Sequence, residues 1–136
     1  MAKKILIVED DKVLAETMQS VLTDTGLYEI AVAHDGQTGL KLAEEYNPDM
    51  IILDLLMPDV TGLDMLAKWK ATGLTDRIPV TVATNLEQVQ VMNRALTFGV
   101  HSYFIKSEMS AESIVQHCAK VLSEHVKPNT TGPKQT

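Results

Sequence analysis

The chain has a single cysteine, Cys118, so it cannot form an internal disulfide. Ile114, Val115, Val121 and Leu122 put that thiol on an apolar helical stripe, where it reads as core and not as a nucleophile. Long hydrophobic runs are also missing. No stretch approaches the roughly 20 apolar residues of a membrane span. The N-terminal apolar run at 5–8, behind Met-Ala-Lys-Lys, stops at Glu9 and is too short for a secretory signal. These absences point to a cytoplasmic protein with no membrane partner. Positive charge is in deficit, with 12 Lys and Arg against 18 Asp and Glu and a formal charge of −6. Such a chain is repelled by nucleic-acid phosphates, which argues against direct nucleic-acid binding. There is no G-x-G-x-x-G or Walker loop to cradle a nucleotide.

What is present fits one domain. A chain of 136 residues with 45% hydrophobic content can bury a single core without disulfides or structural metal. Five short apolar runs, at 5–8, 28–33, 50–53, 78–83 and 102–105, read as strands. Helical patterns follow each of them. Val13, Leu14, Thr17, Met18, Val21 and Leu22 have the spacing of a buried helical face, with Gly26 as its stop. A second helix is expected over 36–46 before Asn47-Pro48, a third over 61–71 with Gly73 just beyond, and a fourth over 86–98 before Gly99. A fifth starts after Ser110, capped by Ser110 and Ser113, and runs to 126 before Pro128. Repeated βα units with near-continuous apolar strands imply a parallel sheet covered by helices on both faces, a three-layer α/β fold. Residues 1–126 form the expected domain. Residues 127–136, with two prolines, a glycine and no apolar residue, form a tail or the start of a linker.

In an open parallel sheet, ligands bind beyond the carboxyl ends of the strands. There the chain carries Glu9, Asp10 and Asp11 after the first run, Asp54 after the third, Thr84 after the fourth and Lys106 after the fifth. Carboxylates gathered at one edge repel one another and call for a counterion. Mg²⁺ suits them, since it takes oxygen ligands and is commonly held by one or two carboxylates plus phosphate oxygens. Lys106 then supplies a fixed positive charge and Thr84 a hydroxyl donor, and an aspartate is left to act as nucleophile toward a phosphoryl group. A lone aspartate at a strand end is commonly just a polar terminus, but these partners set Asp54 apart. The four histidines, His34, His101, His117 and His125, show no ligand spacing with Cys118 or with the carboxylates, and surface positions are expected for them. The methionines fall mostly at core positions.

This order of landmarks resembles the receiver domains of two-component response regulators over about 3–126, with a chemotaxis-regulator-like pattern. Glu9-Asp10, Asp54, Thr84 and Lys106 match in sequence order, with intervals of 44, 30 and 22 residues between Asp10, Asp54, Thr84 and Lys106. Met57-Pro58 and Gly62 after the acceptor, Pro79 before the fourth strand and Tyr103 three residues before Lys106 match as well. The resemblance implies a flavodoxin-like fold, a five-stranded parallel sheet of order 2-1-3-4-5 with five helices. It implies that Asp54 is phosphorylated by a histidine kinase or phosphotransfer protein in a Mg²⁺-dependent reaction. Asp10 would be a direct metal ligand, Glu9 would act through water, and Asp54 and the Leu56 carbonyl would complete the set. Such a protein catalyses its own phosphorylation and dephosphorylation and is not a turnover enzyme. Thr84 and Tyr103 would be the switch residues, remodelling the surface of the fourth helix, fifth strand and fifth helix toward a downstream protein target. Asp11 falls outside the matched pair and reads as a helix N-terminal carboxylate.

Two positions depart from the pattern. Ser107 follows Lys106 where proline is common, so the loop seating Lys106 is expected to differ, and Asn85 follows Thr84 where a small residue is usual. Leu56 and Leu86, two residues beyond Asp54 and Thr84, are apolar and are expected to exclude hydrolytic water and prolong the acyl phosphate. Two rivals share the fold. An FMN-binding electron carrier needs a Ser/Thr/Gly-rich phosphate cradle where this chain has Glu9-Asp10-Asp11. An interaction-only receiver would have abandoned phosphorylation, yet all five site residues are present. Nothing after position 126 is long enough for an effector domain, so the chain is either a single-domain regulator or one part of a larger protein.

Overall fold

The computed structural model describes residues 2–57, 59–85 and 89–124. The strands β1 (Lys3–Val8), β2 (Tyr28–Ala33), β3 (Met50–Asp54), β4 (Val80–Thr84) and β5 (Ser102–Ile105) form one parallel sheet in the order β2-β1-β3-β4-β5. Side chains alternate between its faces, so each central strand feeds two cores. Leu6, Val8, Ile51 and Leu53 enter one, with Met65, Leu66, Trp69 and Met92 from the covering helices. Ile5, Ile7, Met50 and Ile52 enter the other, with Met18, Leu22, Ile114, Cys118 and Val121. Cys118 is fully buried and its thiol is pushed up to about 12 by that burial, as fits a core residue.

The helices are α1 (Lys12–Thr23), α2 (Gly36–Glu45), α3 (Gly62–Thr72), α4 (Leu74–Arg77), α5 (Val89–Leu96) and α6 (Ala111–Glu124). Three N-termini carry side-chain caps. Asp11 accepts the Leu14 N–H at 3.1 Å, Asp35 that of Thr38 at 2.7 Å, and Thr61 that of Asp64 at 3.2 Å. Ser110 and Ser113 cap each other reciprocally at the start of α6, through Ser113 N–H to Ser110 Oγ at 3.1 Å and Ser110 N–H to Ser113 Oγ at 2.8 Å.

Among the described residues there are six α-helices where the sequence suggested five. The extra one, α4, is a single turn after Gly73, held by the Ile78 N–H on the Leu74 carbonyl at 2.8 Å and by the buried Leu74 side chain. One turn is too short to show a periodicity. Ile78 is its C-cap residue, and β4 starts at Val80, two residues later than expected from the apolar run. Thr61 lies outside α3 as its cap. The expected start of the fourth helix at 86, the end of the fifth at 126, His125 and the tail at 127–136 lie outside the described residues. Among those that are described, no helix is long and apolar enough to cross a membrane.

Gly62, at the start of α3, presses its Cα against the end of β3. A Cβ there would meet Leu55 Cα at 2.6 Å and the Asp54 carbonyl oxygen at 2.7 Å, both of them backbone atoms that cannot swing aside. We expect Gly62→Ala to destabilise the fold by about 1–3 kcal/mol, read as a lower urea midpoint with an unchanged slope. An unshifted midpoint would show that the β3–α3 junction yields freely.

Candidate functional site

The register of the sheet assembles the site. Asp54 is the last residue of β3 and lies opposite Ala83, so Thr84 extends one residue further along β4, opposite Ile105 on β5. Lys106 follows immediately and Glu9 follows β1. Carboxylate oxygens of Glu9, Asp10 and Asp54 all lie within 4.8 Å of one another. Glu9 and Asp54 are buried and Asp10 is exposed at the rim. The Lys106 ammonium reaches in to 2.9 Å from Glu9 Oε1 and 3.2 Å from Asp54 Oδ1. Thr84 is buried, its hydroxyl 3.3 Å from the Asn85 carbonyl.

The electrostatics are unbalanced. Three carboxylates face one ammonium, and the Asp54 carboxyl is pushed up to about 7. Burial is the largest cause, followed by the negative charge of Glu9, while Lys106 pulls the other way. For Lys106 itself burial works against the charged form, but its close contact with the Glu9 carboxylate, and then with that of Asp54, outweighs it and raises its pKa. The Lys106–Glu9 contact is a close ion pair that still leaves the buried Oε1 without a hydrogen-bond donor of good geometry. A buried acceptor of this kind beside two more carboxylates suits a hard, oxygen-seeking cation.

Sequence reasoning put Glu9, Asp10, Asp54, Thr84 and Lys106 at one edge, and the geometry brings them there. Leu56 is in the loop after β3, where its N–H donates to Asp54 Oδ1 at 3.3 Å and its side chain is half exposed. Met57 is buried, while Pro58 and Leu86 lie outside the described residues. Tyr103 is 50% exposed, so it is not the packed strand aromatic that such residues usually are. Lys106 opens a 3-10 turn, Lys106–Glu108, and no cis peptide bond occurs among the described residues.

The histidines need correction. Only His101 of the three described is exposed, pairing with Glu124 at 3.3 Å. His117 is half-buried, with Nε2 3.0 Å from Ser102 Oγ and its ring edge-on to Phe104. His34 is also half-buried, its Nδ1 3.2 Å from the Glu9 carbonyl oxygen. Ligand spacing could not reveal these positions, because both rings are satisfied by strand-edge atoms distant in sequence. Asp59 was missed as well. Its carboxylate accepts the Gly36 N–H at 3.0 Å and the Gln37 N–H at 3.1 Å.

Comparison with known proteins agrees with this geometry. The family model for the response regulator receiver domain matches residues 5–119. The chain belongs to the response regulator receiver family. This receiver is 35% identical over 106 residues to a probable transcriptional regulator, ycf29, of Pyropia yezoensis, covering 78% of this chain and 47% of that protein. It is 32% identical to the response regulator MprA of Mycobacterium ulcerans, covering 78% and 44% respectively. The receiver therefore spans less than half the length of these relatives. Among solved structures, a DNA-binding response regulator of the LuxR family from Staphylococcus aureus is 33% identical with a TM-score of 0.79, covering 88% of this chain and 98% of that one. A CheY-like receiver from Methanospirillum hungatei is 22% identical with a TM-score of 0.82, covering 91% and 96%, and shows the shared fold.

A carboxyl whose pKa is raised by folding makes the folded state most favourable when protonated. Below the unfolded value near 3.8 both states hold the proton. As pH rises toward about 7 only the unfolded state ionises, and stability is lost. Without divalent cations, Asp54→Asn should therefore gain stability over wild type between pH 4.5 and pH 8, by on the order of 2 kcal/mol. Urea unfolding at the two pH values measures this, and a difference independent of pH counts against the buried, cation-starved carboxyl.

Proposed function

We propose that this receiver accepts a phosphoryl group on Asp54 from a phosphohistidine of a histidine kinase or phosphotransfer protein, in a Mg²⁺-dependent reaction in the cytoplasm. The observation that carries this is the cluster of Glu9, Asp10 and Asp54 oxygens within 4.8 Å, with the Lys106 ammonium 3.2 Å from Asp54 Oδ1. Both the Leu56 N–H and Lys106 engage Oδ1, so Oδ2 is assigned as the attacking atom. Its lone pair forms the bond to phosphorus while the P–N bond of the donor breaks and the imidazole nitrogen keeps that electron pair. Glu9, Asp10, Asp54 and the Leu56 carbonyl would hold the Mg²⁺, which when bound supplies neutralising charge for the phosphoryl oxygens. Lys106 holds positive charge beside the acceptor, and the Thr84 hydroxyl at the end of β4 turns toward the new oxygens.

The same charge change drives the output. Thr84 moving toward the phosphoryl group makes room for the exposed Tyr103 to turn inward, and the face formed by α5, β5 and α6 changes shape for a downstream protein target. The receiver turns over no separate substrate. Residues 1–126 form the working domain and 127–136 a tail or linker.

Incubation with acetyl phosphate and Mg²⁺ should add one phosphoryl mass to wild type and none to Asp54→Asn. An unmodified wild type would instead favour a receiver that works by constant binding. Leu56, half exposed at the mouth of the site, sets the lifetime. Leu56→Asn should speed decay of the acyl phosphate roughly fivefold, about 1 kcal/mol in the barrier. An unaltered half-life removes Leu56 from that role.

A further inference from the structure

Between the acceptor and α3 the described residues are 55–57 and 59–61, and the two groups are held differently. At the inner end the backbone grips the acceptor itself. Gly62 N–H donates to the Leu55 carbonyl at 2.8 Å, and Leu56 N–H donates to Asp54 Oδ1 at 3.3 Å. At the outer end the loop is held by a helix far from it in sequence. Asp59 Oδ1 accepts the Gly36 N–H at 3.0 Å and Oδ2 accepts the Gln37 N–H at 3.1 Å, one oxygen to each of the first two residues of α2. Beside them Val60 seats against Gly36 so closely that a Cβ on Gly36 would meet Val60 Cβ at 2.6 Å and the Val60 carbonyl oxygen at 2.7 Å.

The helix has a cap of its own. Asp35 accepts the Thr38 N–H at 2.7 Å, the usual arrangement for an N-cap aspartate. What Asp59 adds is a join between α2 and the acceptor loop, made by a carboxylate whose pKa is pulled below the ordinary range, chiefly by the Gly36 N–H. Charge-assisted bonds from backbone N–H groups to both carboxylate oxygens fix position and direction together.

We infer that Asp59 is a positioning residue for Asp54, tethering the acceptor loop to the first turn of α2 so that the Leu56 backbone stays aimed at the acceptor carboxylate. The inference rests on the phosphoacceptor reading for its functional consequence, though not for the tether itself. It places control of the site partly in α2, an element that contributes no proposed ligand. Partners of metal-binding groups matter in this way because they hold the binding atoms in place, and losing one typically weakens metal affinity tenfold or more.

Three variants of the full chain separate this role from plain helix capping. Asp59→Ala should weaken Mg²⁺ binding roughly tenfold by calorimetry well below the unfolding temperature. In the metal-free chain the same variant should speed hydrogen exchange of the Leu56 amide, because the loop opens more often. Asp59→Asn keeps one acceptor oxygen but sets an NH2 against the other N–H, and should restore only part of both properties. Asp35→Ala removes the other carboxylate at the same helix end and should lower the thermal midpoint while leaving Mg²⁺ affinity and Leu56 exchange at wild-type values. Wild-type behaviour in Asp59→Ala, or equal losses in Asp35→Ala, overturns the tether. A wild type that binds no Mg²⁺ sinks the phosphoacceptor reading instead, and the exchange comparison alone then decides whether Asp59 holds the loop.

Discussion

Among the described residues, three carboxylates share one small site with a single ammonium, and the remaining features of the functional edge follow from that imbalance. In water such a group would drift apart. Here Glu9 and Asp54 sit on the ends of adjacent buried strands, whose hydrogen-bonded register leaves them no room to separate. Lys106 relieves part of the repulsion, at 2.9 Å from one carboxylate and 3.2 Å from the other, yet the Asp54 carboxyl remains pushed up to about 7. The site is thus poised to gain from a cation, and an incoming phosphoryl group would bring further negative charge for that cation and Lys106 to neutralise.

Rigidity of the sheet makes this sustained frustration tolerable. β1 and β3 are buried on both faces and feed two separate hydrophobic clusters, so the strand ends move little even when their charges repel. The loops beyond them are held by specific contacts as well as by packing. Gly62 locks the start of α3 onto β3, and Asp59 joins the acceptor loop to α2. Toward the other edge, Lys106 opens a 3-10 turn that leads to α6, while Tyr103 stands half out of the surface beside it. Under the proposed function, a charge change at Asp54 would reach the β5–α6 surface through residues next to one another in β4 and β5.

How much of this was legible in the sequence depended on the range of the interaction. The five strands announced themselves because buried parallel strands are nearly continuous apolar runs, and the site residues because they fall immediately after those runs. Cap residues such as Asp11, Ser110 and Ser113 were readable because their bonds reach only three residues along the chain. The single turn at Leu74–Arg77 was not, since four residues cannot show a helical period. Asp59 escaped because its partners, Gly36 and Gln37, are 23 and 22 residues away. His34 and His117 were misplaced for the same reason, their ring nitrogens meeting Glu9 and Ser102 only after the sheet has formed.

The imbalance at Asp54 can be measured directly by following its carboxyl carbon by NMR across a pH titration, with and without Mg²⁺. Without the cation the resonance should titrate near pH 7, and with saturating Mg²⁺ its midpoint should fall by more than about one unit as the added positive charge favours the carboxylate. A midpoint near 4 in both conditions would contradict a buried carboxylate cluster held together in want of a cation.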